Sequence, residues 1–466
     1  VGQAAEGIKN AAFNVFVFFY YTQVLGLPTV YTGIAIGIAL AVDSITDPLI
    51  GSLSDNWQGS NGRRHPFLYV SILPLGLFFI GLFNPPELEE FTLFLWLTVF
   101  SVGTRAMMTL YYVPHVSLGA ELSEDFNERT EVVAYRYFFS SVGGILTYII
   151  GFVVYFPDTQ FNVEAYAPFG LTLSLLMMAS ILITALGTKR RIPHLPASRI
   201  NRESVSILRV LHKTLLEIRS ALTNRSFRWL FAGVLIVFAM VGVDNALNLH
   251  MNTYFWELQG GGNLFFFAAT PVGALIGTAL ASPLTRWFDK KPSVTIGTLC
   301  WALCQVIPVV LRLLGWFPEN GTSELLYSLI VIKFIQGLGV VQALIAFNSM
   351  VADVVDEHEL ITGLRQEGIF FSSVSFSNKM TSGIGTVAAG FALALIDWPT
   401  GAAVQTAADI APETIAWLGL IYGPIVSGFA LVSAYCYSKY GLNRQRHAEI
   451  VEELAVLRER RAAAAD

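Results

Sequence analysis

The sequence predicts an all-α membrane protein of twelve transmembrane helices in two pseudo-symmetric six-helix halves. Three observations predict it. Hydrophobic residues make up 54% of the chain and charged residues only 14%, against roughly 25% charged in a soluble domain. Apolar runs long enough for spans of about 20 residues recur along the whole chain. The stretch Phe138-Phe139-Ser140-Ser141-Val142 returns as Phe370-Phe371-Ser372-Ser373-Val374, about half a chain later.

Taken in order, the predicted spans are 7–27, 29–53, 66–84, 91–115, 133–156, 167–187, 227–255, 262–286, 292–314, 323–350, 369–395 and 411–437. Basic residues then set the orientation. One set of loops carries Arg63 and Arg64, then Lys189, Arg190, Arg191, Arg199, Arg202, Arg209 and Lys213, then Arg286, Lys290 and Lys291; the tail adds Arg444, Arg446, Arg458, Arg460 and Arg461. The opposite loops carry Glu87, Glu89, Glu90, Asp158, Glu164, Glu319 and Glu324. We therefore expect a multi-pass protein of the cell inner membrane with both termini cytoplasmic. The chain begins at Val1, so residues are expected to precede it; no cleavable signal is visible.

The longest connection separates the sixth and seventh spans. Pro193 and Pro196 open it, and residues 204–222 place Ile207, Val210, Leu211, Leu215, Ile218 and Leu222 on one helical face. The expected division is a first half over 1–187, a cytoplasmic linker with an amphipathic helix over 188–226, a second half over 227–437, and a cytoplasmic tail over 438–466. Each repeat copy follows a charged loop, with Glu128, Arg129 and Arg136 before one and Glu359 and Arg365 before the other. Two such halves with a midplane site between them are transporter architecture.

The second span holds Asp43-Ser44-Ile45-Thr46-Asp47-Pro48. Two carboxylates four apart share a helical face. At 1.5 Å per residue from Asp55 they lie roughly 12–18 Å deep, where one charge costs at least about 2.5–3.5 kcal/mol. Pro48 has no amide for the Ser44 carbonyl, and Ser44 and Thr46 add hydroxyls. The set is hard and oxygen-rich, which suits sodium. A proton is the alternative, since paired acids raise one another's pKa; a structural ion pair is the third reading.

Lys379, in the eleventh span, matches the acids in depth and is a candidate internal counter-ion; snorkelling to the interface is the alternative. The fourth span offers Arg105, Thr109, Tyr112 and His115. Arg105 pairs with an acid or binds an anionic substrate group. His115 is either a proton relay or a hydrogen-bonded core histidine. Asp244, with Asn245, Asn248, His250 and Asn252, makes the seventh span polar near its outer end: a substrate or gating acid, or a hydrated one at the mouth. Asn10 and Asn14 share a face of the first span. Lys333 has no evident partner. Cys300 and Cys304 share a face as small core residues, with a metal pair as the alternative.

These motifs together resemble the glycoside–pentoside–hexuronide:cation symporters of the major facilitator superfamily, of which melibiose permease is the best-known member. The resemblance rests on Asp43, Asp47 and Pro48; on Asp55, Asn56, Gly62, Arg63, Arg64 and Pro66; on Val113, Pro114 and residues 117–122 with Glu128, Arg129 and Thr130; and on Ala352, Asp353, Asp356, Gly363, Arg365, Glu367, Gly368 and Lys379. It covers nearly the full chain. It implies cation-coupled symport by alternating access, with Asp43, Asp47 and Thr109 as cation ligands and Lys379 as the family's eleventh-span lysine. It also implies that Arg136 lies near the sugar, that Asn10 and Asn14 fall near other sugar contacts, and that Arg63 and Arg64 belong to the gating loop. The chain departs at Gly7 and Tyr112, where melibiose permease has sugar-binding acids. A related branch transports lysophosphatidylcholine.

No phosphate-binding loop for ATP appears, and no haem, zinc or nucleophile signature. The expectation is a sodium-coupled symporter, not an enzyme, with a sugar or glycoside as substrate. An amphiphile is the alternative solute, and a membrane-embedded enzyme or non-transporting lipid-binding protein is the alternative class. Expected partners are a small-molecule substrate and membrane lipids, with no nucleic acid and no cofactor; the chain is expected to act as a monomer.

Overall fold

Helices follow the apolar runs almost residue for residue, because backbone polar groups in hydrocarbon must be satisfied within the segment. The computed structural model describes residues 1–57, 59, 62–122, 126–194, 207–287, 289–401 and 403–465. The membrane helices are α1 (Gln3–Ala12, continued by π turns Phe13–Val17 and Tyr20–Val24), α2 (Thr29–Asn56), α3 (His65–Leu82), α4 (Glu90–Glu121), α5 (Phe126–Ile149, then Ile150–Tyr155) and α6 (Val163–Thr188). After α7 (Ile207–Ala221) come α8 (Arg225–His250, then Met251–Phe255), α9 (Gly260–Trp287), α10 (Lys290–Leu313), α11 (Ser323–Thr362), α12 (Glu367–Leu395) and the broken span α13 (Pro412–Leu420), Ile421–Ile425 and α14 (Val426–Ser438). Among the described residues these helices make twelve spans. Ten of them contain a strongly apolar window. The other two are α1 and α12, whose Glu6, Lys9, Asn10 and Asn14, and Asn378 and Lys379, dilute the apolar run.

Several boundaries differ from the sequence reading: α4 runs on to Glu121 rather than residue 115, and α5 starts at Phe126 rather than residue 133. The first span starts at Gln3 rather than residue 7, bringing Glu6 into the helix with Lys9. α11 runs on to Thr362, where Gly363 ends it in the left-handed conformation (φ 75°); at 40 residues and 1.5 Å each it is about 60 Å long, longer than a bilayer core. The tail, over which the sequence reading set no element, forms α15 (Arg444–Ala465). In the linker, Pro196, Arg199, Arg202 and Ser204 lie outside the described residues, and α7 accounts for the amphipathic segment.

Two compact units emerge from the packing. One comprises Val1–Val210, Gly242–Ala268 and Ser382–Leu418; the other comprises Leu211–Val241, Ala269–Thr381 and Gly419–Asp466. In the first, α2 packs on α4, α1 on α5, and α3 on both α4 and α6. α1 and α5 approach so closely at Gly7 that a Cβ there would stand 2.0 Å from the Ser140 carbonyl oxygen. In the second, α10 packs on α11 and α14, and α15 lies along α11. Gly337 brings α11 equally close to α9, where a Cβ would meet the Thr270 carbonyl oxygen at 2.1 Å.

The two halves also carry equivalent charge clamps. Glu121, ending α4, accepts from Arg63 Nη2 (2.7 Å) and Arg64 Nη2 (2.9 Å), while Arg64 Nη1 donates to Ser54 Oγ (2.6 Å). In the second unit, Lys290 Nζ reaches both carboxylate oxygens of Asp353 (2.7 and 2.8 Å). The tail joins this network through His447 to Asp356 (3.1 Å) and Arg458 to Glu359 (2.7 Å).

Candidate functional site

Asp43 and Asp47 occupy one face of α2 at four-residue spacing, and Arg105 and Thr109 repeat that spacing on α4. The two helices run parallel and side by side, so the pairs meet in register. Thr109 Oγ1 lies 2.8 Å from Asp43 Oδ1 and 3.0 Å from Asp47 Oδ1. One turn along, Arg105 Nη1 stands 3.4 Å from Asp43 Oδ2. Asp43, Arg105 and Thr109 are all buried. The Arg105 guanidinium also lies over the Phe13 ring, 4.5 Å from its centroid, a contact that favours a desolvated cation.

The geometry answers several sequence-level questions. Neither helix hydroxyl of the acidic motif donates to the acids: Ser44 donates to the Ala41 carbonyl (2.7 Å) and Thr46 to the Asp43 carbonyl (3.1 Å). The hydroxyl at the carboxylates comes from Thr109 on the neighbouring helix. Of the readings open for Arg105, the ion pair with an acid is the one observed. The His115 ring stacks on Tyr111 (5.0 Å between centroids, 16° between planes), and neither ring nitrogen has a hydrogen-bond partner among the described residues. Lys333 has partners, donating to Gln305 Oε1 (3.2 Å) and Tyr422 Oη (3.5 Å).

The remaining candidates gather around α1. Arg136 Nε donates to Gln3 Oε1 (3.4 Å), and Tyr112 is half-buried on α4. Asn10 donates to Glu6 Oε1 (3.0 Å), which also pairs with Lys9 Nζ (3.1 Å). The Asn14 carbonyl accepts from Asn248 Nδ2 (3.2 Å). Asp244 is half-buried on α8, within the first unit. Lys379 belongs to the second unit. Glu6, Lys9 and Gln3 were not among the sequence candidates. Their signal was present: Glu6, Lys9 and Asn10 fall at helical spacing, across residue 7 where hydropathy opens the span.

Beyond the cation-type site, the π turns of α1 and α8 form a latch with the loop after α12. Tyr254 donates to Gln23 Oε1 (2.6 Å) and the Val404 carbonyl (2.9 Å), Gln23 Nε2 donates to the Pro399 carbonyl (3.3 Å), and Thr22 Oγ1 meets His250 Nε2 at 3.1 Å. π turns concentrate at functional sites. The second unit holds a cavity of about 200 Å³ with a largely apolar lining that includes Val234, Phe238, Trp301 and Phe347.

A buried ion pair, paired intramembrane acids and repeated six-helix halves define a secondary transporter. The profile of the MFS/sugar transport protein family matches residues 1–444. The chain belongs to that family, within the glycoside–pentoside–hexuronide:cation symporters, and is a multi-pass membrane transporter rather than an enzyme. It is similar to the inner membrane symporter YicJ of Escherichia coli (strain K12), 24% identical over 98% of this chain and 93% of that one. It is also similar to the isoprimeverose transporter of Lactiplantibacillus pentosus, 23% identical over 90% of this chain and 82% of that one. In fold it resembles the xylose transporter XylE of E. coli in a partially occluded inward-open state, with TM-score 0.56 and 14% identity over 95% of this chain and 96% of that one.

Proposed function

We propose that the protein is a sodium-coupled symporter of a sugar or glycoside, resident in the cell inner membrane with both termini cytoplasmic. It works as a monomer by alternating access. The observation that carries this reading is the convergence of Asp43, Asp47 and Thr109: two carboxylates from one helix, each with an oxygen within 3.0 Å of the Thr109 hydroxyl on another. Carboxylate and hydroxyl oxygens are the ligands hard cations take. The intramembrane cost of the acids falls when the cation binds, so binding energy is available to bias the conformational equilibrium.

In this reading Asp43, Asp47 and Thr109 hold the cation. Arg105 and Lys379 are counter-ions that couple its occupancy to the rest of the protein, and Arg63 and Arg64 fasten the ends of α2 and α4 during gating. The solute is recognised by Asn10, Asn14, Tyr112, Arg136 and Asp244, to which Glu6 and Gln3 are added. Amide, phenol, guanidinium and carboxylate groups together suit the mixed donors and acceptors of a polyol. The similarity to the isoprimeverose transporter supports that solute class.

A proton as coupling ion is the second reading, and one observation favours it. A hydroxyl has a single proton, yet Thr109 Oγ1 is within hydrogen-bond distance of two carboxylates; protonation of one acid supplies the second proton.

Uptake of a panel of radiolabelled glycosides into proteoliposomes tests the proposal. Accumulation under an imposed sodium gradient is expected, and it disappears in Asp47→Asn. No accumulation of any glycoside under either a sodium or a proton gradient contradicts it.

A further inference from the structure

Among the described residues, the apolar core of the second unit lies in two pieces. Phe347, Val351 and Tyr437 belong to one, and Met240, Trp301 and Ala302 to the other. The cavity of about 200 Å³ draws on both: its lining takes Phe347 and Tyr437 from the first piece and Trp301 from the second. Helices α8, α10, α11, α12 and α14 all contribute to it, each with residues of the second unit. Protein interiors are otherwise close-packed, and a wall with no atoms against it forfeits its dispersion contacts.

The lining specifies an occupant. It includes no charged side chain among the described residues, so an ionic ligand would be desolvated there without a partner. A sugar would bury several hydroxyls against valine and phenylalanine, each unpaired one at a cost. Phe238, Trp301, Phe347 and Tyr437 bring aromatic rings from four helices, which suits another ring in edge-to-face or offset contact. An apolar cavity of about 150 Å³ is enough for benzene, so about 200 Å³ holds one ring with a small substituent. Leu344 and Asn378 are the exposed members of the lining and mark its mouth. Asn378 is polar within the span α12, and polar groups at membrane depth face the bundle interior or water rather than lipid. The ligand therefore enters from the aqueous side.

We propose that the second unit binds a small, uncharged, single-ring aromatic compound of the phenol type in this cavity, with the ring among Phe238, Trp301, Phe347 and Tyr437 and the polar substituent toward Asn378. The site does not depend on the cation-site reading, whose acids and threonine belong to the first unit. Five helices share the occupant, so it joins the two pieces of core and stabilises the unit when bound.

Equilibrium binding of radiolabelled phenol to the purified full-length protein in phosphatidylcholine nanodiscs tests this, with protein-free nanodiscs subtracting partition into lipid. Saturable binding of one phenol per chain is expected in wild type. Val237→Phe and Val340→Phe each place a ring in the cavity from a different helix. Each is expected to weaken phenol binding about tenfold or more, in protein whose cooperative melting shows that it is folded. Val237→Leu, a smaller filling, stands in if neither folds, with partial loss expected. As competitors, 1-hexanol and D-xylose are expected to need concentrations about tenfold or more above that of unlabelled phenol. No saturable binding in wild type, or binding undiminished in the folded filled variants, overturns the proposal. Displacement by 1-hexanol at or below the phenol concentration overturns it in favour of an alkyl chain, and displacement by D-xylose does so in favour of a sugar. Each of these failures leaves the symporter reading standing, because no arm of the test uses sodium or transport.

Discussion

Thr109 on α4 and Asp47 on α2 are joined across the helix pair at 3.0 Å, one turn along from the Arg105–Asp43 contact at 3.4 Å. The equal spacing of the two pairs makes the ion pair and the proposed cation ligands parts of one ladder. Removing the Thr109 hydroxyl leaves both carboxylates without their shared donor. We expect Thr109→Ala to weaken sodium affinity about tenfold, the equivalent of one hydrogen bond or ligand of about 1.4 kcal/mol, and Thr109→Ser to restore it. Sodium titration by thermal shift reads both, and an unchanged midpoint in Thr109→Ala removes Thr109 from the site.

The clamp at the ends of α2 and α4 is expected to be structural. Glu121→Gln leaves Arg63 and the buried Arg64 facing a neutral acceptor. Breaking such a pair from one side costs at least about 2 kcal/mol. The melting temperature in detergent falls by several degrees while the sodium midpoint is unaltered. Full thermal stability in the variant shows that solvent screens the clamp.

The latch formed by Tyr254 predicts a local effect. Tyr254→Phe removes the donor shared by Gln23 and the Val404 carbonyl, a loss of about 1 kcal/mol or more. In a background without the native cysteines, a thiol introduced at Gln405 is expected to react faster with a polar maleimide in this variant. Equal rates mean that the aromatic contacts of Tyr254 with Trp398, 5.2 Å between centroids, suffice to hold the loop.

Asp409 in the same loop gives a pH dependence. The Thr406 amide (2.8 Å), the Thr406 hydroxyl (2.9 Å) and the Gln405 amide (3.1 Å) all donate to its carboxylate and hold its pKa below the ordinary value. A depressed folded pKa contributes stability that is complete above the unfolded carboxylate value of about 3.9 and is lost as pH falls through the lower folded value. Hydrogen exchange at residues 404–411 should therefore speed up only in acid, and Asp409→Asn should abolish that step. A step that persists in the variant belongs to another group.

The sequence made the spans and the acid pair legible for the same reason: both are local. Apolar length defines a helix in hydrocarbon, and Asp43 and Asp47 stand out against it. The family resemblance, not any local pattern, put Thr109 beside them. What was not legible depended on packing. Glu6 fell outside the predicted span because hydropathy begins it at residue 7, although Glu6 pairs with Lys9 on α1. The choice between an acid and a solute for Arg105 needed the register of α2 against α4. The orientation of the Ser44 and Thr46 hydroxyls toward their own backbone is set by rotamers, and the stacking of His115 on Tyr111 by a neighbouring turn. The latch joins residues more than two hundred positions apart, which no local pattern announces.

The central claim is that Asp43, Asp47 and Thr109 form the coupling-cation site. Equilibrium binding of radioactive sodium to the purified protein tests it most directly. The account predicts saturable binding to wild type, loss of that binding in Asp47→Asn and in Asp43→Asn, and weakened binding in Thr109→Ala. Saturable sodium binding that persists undiminished in both aspartate variants would contradict it.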